Sequence, residues 1–260
     1  MFTTVLKHEA RSMGPQLLVY LGIVAVLMAS GLLVAATGVE PVASFGTMVA
    51  AAGGLFLHLA VPVTLLERYY KSLYGREGYL TMALPVKAST LYWAKITWAY
   101  VVWLAAALIA CGSWIAIALI RGGFDAFAQA LSTTPALAIG FFAVLLVVSL
   151  ALYVVQFAWI VTLGMEERFR ALGLAGPVVV WLGSYLALQV VSVVAILLIP
   201  FGVSPDLGRI VLTPPVIEIG TATGHDLSFI PLGFIPVVLA AGAVFVLWTL
   251  RSLRDHTSLR

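Results

Sequence analysis

Polar side chains that could do chemistry are rare in this sequence, and the most notable ones lie inside long apolar runs. Three of them are His58, Gln156 and Gln189. Polar groups are costly in lipid, so each one needs a structural or functional reason to be there. One interpretation is that all three line a weakly polar path for a substrate. The alternative, which the residue type favours for the two glutamines, is hydrogen bonding between helices.

Motifs for catalysis or metal binding are missing from the sequence. There is no GxxxxGK[ST] phosphate loop, no HExxH, no paired Cys and His spacing, and only one cysteine, Cys111. Ser184 and His58 form the best nucleophile and base pair, but no GxSxG turn surrounds either. Serine and histidine in apolar helices more often bond a carbonyl or a neighbouring helix. We therefore expect that the chain is not an enzyme and binds no metal or cofactor itself.

The most specific stretch is residues 67–95, which reads ERYYKSLYGREGYLTMALPVKASTLYWAK. It combines aromatic residues, among them Tyr69, Tyr70, Tyr74 and Tyr79, with five basic residues. It also places Leu80, Ala83 and Leu84 on one helical face before Pro85. Such an apolar stripe on a short polar helix can dock into a groove of a partner protein. It can equally rest on lipid headgroups with its tyrosines at the interface. The residues alone leave both interpretations open.

The composition indicates which elements must position these residues. Of the 260 residues, 62% are hydrophobic and 10% are charged, and the mean hydropathy is +1.10. A soluble domain carries about 25% charged residues, and about 20 apolar residues suffice for a helix to cross a bilayer. We predict an all-α polytopic membrane protein that forms a single transmembrane domain over 1–260. Its six spans are expected at about 17–37, 44–66, 96–119, 137–164, 177–200 and 230–250.

Lysine and arginine residues orient these spans. Positively charged loops are retained in the cytoplasm, and an even number of spans puts both termini on one side. Of the fourteen basic residues, only Arg121 and Arg209 fall on the side opposite the termini. The sequence therefore predicts a multi-pass protein of the cell membrane with both termini in the cytoplasm.

The segments outside the spans differ in character. Residues 1–15 show the pattern of an amphipathic helix in the cytoplasmic interface, ended by Gly14-Pro15; a frayed basic tail is the alternative. The short connections 38–43 and 165–176 are typical of helical hairpins. The long outer loop 201–229 is apolar in its middle. It either re-enters as half-helices broken at a Pro-Pro pair and covered by protein, or forms a compact outer cap.

The segments YYKSLYG, EGYLT and ALPV, followed by a span, resemble the small six-helix permease subunits of ATP-binding-cassette (ABC) transporters in the type-two export family. The order of elements is also similar. An interfacial N-terminal helix and two spans precede the cytoplasmic connection, and four more spans follow it with a long final outer loop. The resemblance in topology covers the whole chain, whereas the resemblance in motif covers only 67–95.

This resemblance implies that the chain is the permease of an ATP-driven exporter. The connection would then be a coupling helix docking a separate ATPase subunit. Two ATPase subunits and a second permease copy or related permease are expected as partners in the bilayer, with no nucleic acid. ATP and Mg would bind in the ATPase, and the substrate would be a peptide or an antibiotic. The residues implied to contact the ATPase are Tyr74, Gly75, Arg76, Glu77, Gly78, Tyr79, Leu80, Thr81, Leu84 and Pro85.

A protein of another class would fit the residues as well. An integral-membrane assembly or signalling protein could dock a partner other than an ATPase through 67–95. An adjacent reading frame for an ATPase with a phosphate loop would distinguish the two interpretations in favour of the exporter.

Overall fold

A computed structural model describes residues 1–75, 77–78, 81, 86–134, 136–173, 175–203, 210–212 and 230–255. Within these ranges, six helices are long and apolar enough to cross a membrane. The prediction of an all-α, multi-pass membrane protein is therefore confirmed. The helices are α1 (Phe2–Ala35), α2 (Val42–Leu73), α3 (Ala88–Thr133), α4 (Ala136–Gly164), α5 (Ala175–Leu198) and α6 (Phe234–Asp255).

The six helices belong to two compact units. Met1–Thr134 carries α1, α2 and α3, and Pro135–Ser258 carries α4, α5 and α6. Neither a composition shift nor a polar linker marks this division, so our interpretation of the sequence as one domain contained no boundary near residue 134.

Small residues set the packing of the first unit. A Cβ atom at Gly31 would collide with the backbone of Ala50 in α2, and one at Gly46 would collide with the backbone of Ala35 in α1. At the second crossing, Gly54 of α2 meets the buried Ser113 of α3. Glycine and alanine allow helix backbones to approach closely in lipid, where no hydrophobic effect drives them together.

The expected helix end at Gly14-Pro15 is wrong, because α1 continues through Pro15 without a break. A proline inside a helix removes the hydrogen bond to the carbonyl four residues earlier, and neighbouring groups can compensate for such losses in membrane helices. Here Arg68 of α2 donates from Nη2 to the carbonyl oxygen of Ser12 at 2.7 Å, next to the freed carbonyl. Placement of 1–15 in the interface stays a prediction.

The third helix is longer than its predicted span. It begins at Ala88, inside the expected cytoplasmic connection, and it continues beyond residue 119 to Thr133. One residue, Gly123, breaks the regular geometry with a φ of +76°. Only glycine adopts this left-handed region without strain. The segment after Gly123 is thus a second helical piece where the sequence suggested a loop.

Aromatic stacking and one close crossing organise the second unit. Trp159 of α4 stacks on Phe245 of α6, with ring centroids 4.3 Å apart and planes inclined by 22°. A 3₁₀ helix, Glu167–Leu172, then joins α4 to α5. Gly164 and Gly176 lie close together on either side of this connection. A Cβ atom at Gly164 would overlap the backbone of Gly176 and Pro177, and one at Gly176 would overlap the carbonyl oxygen of Gly164. The short hairpin expected for 165–176 follows from that contact.

Between α5 and α6, where we expected either half-helices or a compact cap, the described residues form three two-residue strands. They are β1 (Gly202–Val203), β2 (Ile210–Val211) and β3 (Ile230–Pro231). They form an antiparallel sheet in the order β2-β1-β3, in which Gly202 is opposite Val211 and Pro231. The Pro-Pro pair on which the two alternatives depend lies outside the described residues.

Candidate partner-binding site at the second connection

The connection between α2 and α3 begins with a tight glycine turn. The amides of Tyr74 and Gly75 both donate to the carbonyl oxygen of Tyr70, and the amide of Gly78 donates to Gly75 at 2.9 Å. A Cβ atom at Gly75 would lie 2.7 Å from the carbonyl oxygen of Lys71, and one at Gly78 would overlap the carbonyl of Leu73. The two glycines therefore allow the chain to fold back onto the end of α2.

Glu77 and Thr81, two other residues implied to contact the ATPase, lie at this turn and just after it. The amide and hydroxyl of Thr81 both donate to the carbonyl oxygen of Glu77 at 3.1 Å. The Glu77 side chain is 60% exposed and lies 3.9 Å from Arg68. Tyr74 and Thr81 are half-buried, whereas Gly78 is buried. Glu77 is thus the most accessible of the implied contact residues that the structure describes.

Half of the residues implied to contact the ATPase fall outside the described part of the chain, and their contacts stay a prediction. These residues are Arg76, Tyr79, Leu80, Leu84 and Pro85.

A buried ion pair fixes the turn to the rest of the first unit. Nζ of Lys95, in α3, contacts Oε1 of Glu9, in α1, and the two side chains are only 5% and 13% exposed. The same ammonium group donates to the hydroxyl of Ser72, in α2, at 2.8 Å. A buried charge needs a partner and further hydrogen bonds to offset the loss of water. One lysine therefore connects three helices just before the turn.

Arg68 adds a second link at the same end of the unit. Its guanidinium reaches the Ser12 carbonyl in α1 with Nη2 and the Glu77 carboxylate beyond α2 with Nη1. Arginine suits this position because its planar fork can address two acceptors at once. The N-terminal part of α1 is consequently bonded, through one side chain, to the connection itself.

These links border a cavity of about 730 Å³ in the first unit. Its described lining comes from the start of α1, the end of α2, the described residues of the connection and the start of α3. Polar walls are formed by His8, Glu9, Arg68 and Glu77, and apolar ones by Val5, Val86 and Leu91, among others. A concave surface with a mainly apolar lining and a few charges is suited to taking side chains of a partner.

The structure distributes the intramembrane polar residues over both units. His58 belongs to α2; its Nδ1 is buried without a hydrogen-bond partner among the described residues, and its ring lies 6.0 Å from Trp103. Gln156 of α4 is half-buried and Gln189 of α5 is exposed. The hydroxyl of Ser184 donates to the carbonyl of Trp181 in its own helix at 2.9 Å, which is the ordinary structural role of such a serine.

Sequence reasoning missed the pairing of Glu9 with Lys95. Lys95 was counted only among the basic residues that orient the spans, and Glu9 was assigned no structural role. The two residues are 86 positions apart, and no local pattern joins residues at that distance. A weak signal existed, because Lys95 directly precedes an apolar span and its neighbours Tyr92 and Ala94 are hydrophobic.

Comparisons with known proteins identify no relative: no family model, curated protein or solved structure matches the chain. Within the described ranges, no group of three or more His, Cys, Asp or Glu side chains is arranged to hold a metal ion. The described geometry of the connection combines an exposed acid and a glycine turn with a cavity beside them.

Proposed function

We propose that the chain is the membrane-spanning permease subunit of an ATP-driven ABC exporter. The observation that carries the proposal is the connection after the second of six spans, where the glycine turn presents Glu77 next to a cavity. The motif resemblance lies in this same connection. The substrate would be a peptide or an antibiotic, and the path for it would use His58, Gln156 and Gln189.

The contacts around the connection support a mechanical role for it. A docking element transmits motion only if it is firmly bonded to the helices that must move. Arg68 hydrogen-bonds to Ser12 of α1 and lies 3.9 Å from Glu77 of the connection, and Lys95 pairs with Glu9 to join α3 to α1. In the proposed cycle, ATP binding closes two ATPase subunits, and the connection moves the spans between inward-facing and outward-facing states. This chain contributes no ATP-binding or catalytic group; ATP and Mg bind in the ATPase.

A second permease copy or a related permease would complete the pathway. The exposure of Gln189 supports this assembly, because an amide on the outside of the second unit needs a polar partner or a water-filled path in the bilayer. Both termini would face the cytoplasm of the cell membrane, on the side of the ATPase.

The test of docking is co-purification of the chain with an ABC ATPase, which is sought first in the adjacent reading frames. Glu77→Lys reverses an exposed charge on the proposed contact surface and should reduce the ATPase recovered about tenfold, since like charges across an interface repel. Glu67→Lys is the matched control, because Glu67 is 51% exposed and pairs with Lys71 on α2 itself. It should leave the recovered ATPase within about twofold.

A charged residue at Gly78 would be a poor test, because any side chain there overlaps Leu73 and disturbs the turn itself. Equal loss of ATPase in the Glu77 and Glu67 variants would contradict the proposed contact. Purification with a partner that lacks a phosphate loop would favour the assembly or signalling protein instead.

The orientation is tested by cysteine labelling. Cys111 is exposed and must first be replaced. A cysteine at position 77 or 87 should then react with an impermeant thiol reagent only from the cytoplasmic side. Reaction from outside would overturn the orientation and, with it, the access of the ATPase.

A further inference from the structure

The second unit contains a buried acid at the predicted cytoplasmic end of α4. Glu166 accepts hydrogen bonds from Arg168 on Oε2, with Nε at 2.8 Å, and from Nε1 of Trp248 on Oε1 at 3.3 Å. The Arg168 guanidinium lies 5.5 Å from the centroid of the Trp248 ring. These contacts neutralise the carboxylate and fix the indole ring in place.

A cavity of about 450 Å³ opens beside this group. Arg251 of α6 lies on its wall with a side chain that is 77% exposed. Among the described residues Arg251 has an ion pair with Asp255 at 4.0 Å, and Asp255 is bound more closely by Arg254, at 2.7 Å. The charge of Arg168 balances that of Glu166, so the described lining of the cavity has a net positive charge from Arg251. The exposed N–H groups of Arg251 can donate to a further acceptor.

The apolar wall of the cavity continues along α6. Val244, Leu247 and Trp248 precede Arg251 by seven, four and three positions, so they share its side of the helix. Their side chains are partly or largely exposed. The apolar sequence of α6 ends here, and the charges of its last turn begin. This end of the helix has the tryptophan and arginine pattern of a membrane surface.

We propose that this cavity binds an anionic phospholipid, with the phosphate on Arg251 and one acyl chain along Val244 and Leu247. A basic pocket at the cytoplasmic membrane surface suits an anionic headgroup, and the exposed apolar face below it suits the chain. The lipid site requires only that the end of α6 lie at a bilayer surface. It does not require that the chain be a permease.

The test uses the full chain in neutral detergent, titrated with phosphatidylglycerol or phosphatidylcholine of equal chain length. Bound lipid is counted by native mass spectrometry. The wild-type chain should bind phosphatidylglycerol more tightly. Arg251→Gln should weaken that binding about fivefold, the effect of one arginine near an anionic surface. Arg254→Gln is the matched control on the same helix, with a side chain 75% exposed and directed to Asp255. It should change the binding less than about twofold.

Three results would overturn the proposal. Equal affinity for the two lipids would show that the phosphate charge is not recognised. Equal losses in the two arginine variants would indicate diffuse surface charge instead of a built site. Displacement of phosphatidylglycerol by an equal concentration of inorganic phosphate would assign the site to a soluble anion. Circular dichroism and gel filtration of Arg251→Gln establish that the variant is folded before its binding is compared.

Discussion

The two units bury opposite charges in different ways. In the first unit the buried group is a cation, Lys95, held between Glu9 and Ser72 from two other helices. In the second unit the buried group is an anion, Glu166, whose ionic partner Arg168 is only two residues away and 54% exposed. The ion pair of the first unit joins distant segments of the chain. The ion pair of the second unit joins near neighbours in sequence and leaves the arginine exposed.

This difference indicates different roles for the two clusters. A buried pair between helices fixes their relative position, because losing either partner leaves an uncompensated charge. In the Glu166 pair the arginine is exposed and can be rehydrated and rearranged, which suits the wall of a binding site. We therefore interpret the Lys95 cluster as structural support for the connection and the Glu166 cluster as the wall of a ligand cavity.

The largest expected effect is that of Lys95→Met. It leaves Glu9 without its partner in a site that is 13% exposed, and it should lower the free energy of unfolding by about 3–5 kcal/mol. Unfolding in detergent with increasing denaturant measures this change. Lys87→Met, an exposed lysine just before α3, should change it by less than about 0.5 kcal/mol.

The double variant Glu9→Leu with Lys95→Met sharpens this result, because replacing both members of a buried pair by apolar groups is often nearly neutral. It should recover most of the lost stability. A double variant as unstable as Lys95→Met would mean that the pair is not the reason for the loss.

A smaller effect is expected for Glu166→Gln. The amide keeps the shape of the side chain, and Arg168 can turn to water, so the free energy of unfolding should fall by about 1–2 kcal/mol. Thermal unfolding in detergent measures the change. Glu167→Gln, at the exposed neighbouring position, is the control and should be neutral. A loss as large as that of Lys95→Met would remove the contrast between the two units.

The smallest effect is expected at the exposed ion pair of Glu40, just before α2, with Arg121 of α3, which serves as the reference. The Ser44 hydroxyl and the Arg121 guanidinium lower the pKa of Glu40 below its usual value of 4.5. A lowered pKa means that the pair stabilises the fold above the unfolded-state value, and that this contribution is lost as the pH falls through the folded value.

Wild type and Glu40→Gln should therefore differ slightly in melting temperature at neutral pH and converge in acid. The comparison at low and high salt provides the control, since salt screens exposed pairs. A difference that grows on acidification would contradict the sign of the shift.

The spans could be predicted from the sequence, because hydropathy depends on composition over about 20 residues and needs no tertiary information. The errors occurred at the ends of helices. Pro15 has the type of a helix breaker but lies inside α1, where Arg68 bonds the neighbouring carbonyl of Ser12. Hydropathy likewise did not predict the helical piece after Gly123, because it measures only how well a segment partitions into lipid.

The candidate site could be predicted only in part. Tyrosines, glycines and charges in 67–95 identified the connection, because their density is a local property of the sequence. The pairing of Lys95 with Glu9 depends on how separate helices pack. Trp248 and Glu166 are 82 positions apart, and only the fold brings them together.

The most direct test of the proposed contact between the connection and an ATPase is photo-cross-linking from position 77 in living cells. A photoreactive residue at Glu77 should attach the chain to an ATPase that carries a phosphate loop, identified by mass spectrometry of the adduct. The same residue at Glu40, at the opposite end of α2, should not capture it. An adduct between position 77 and a protein without ATPase motifs, or an ATPase adduct at position 40, would contradict the account.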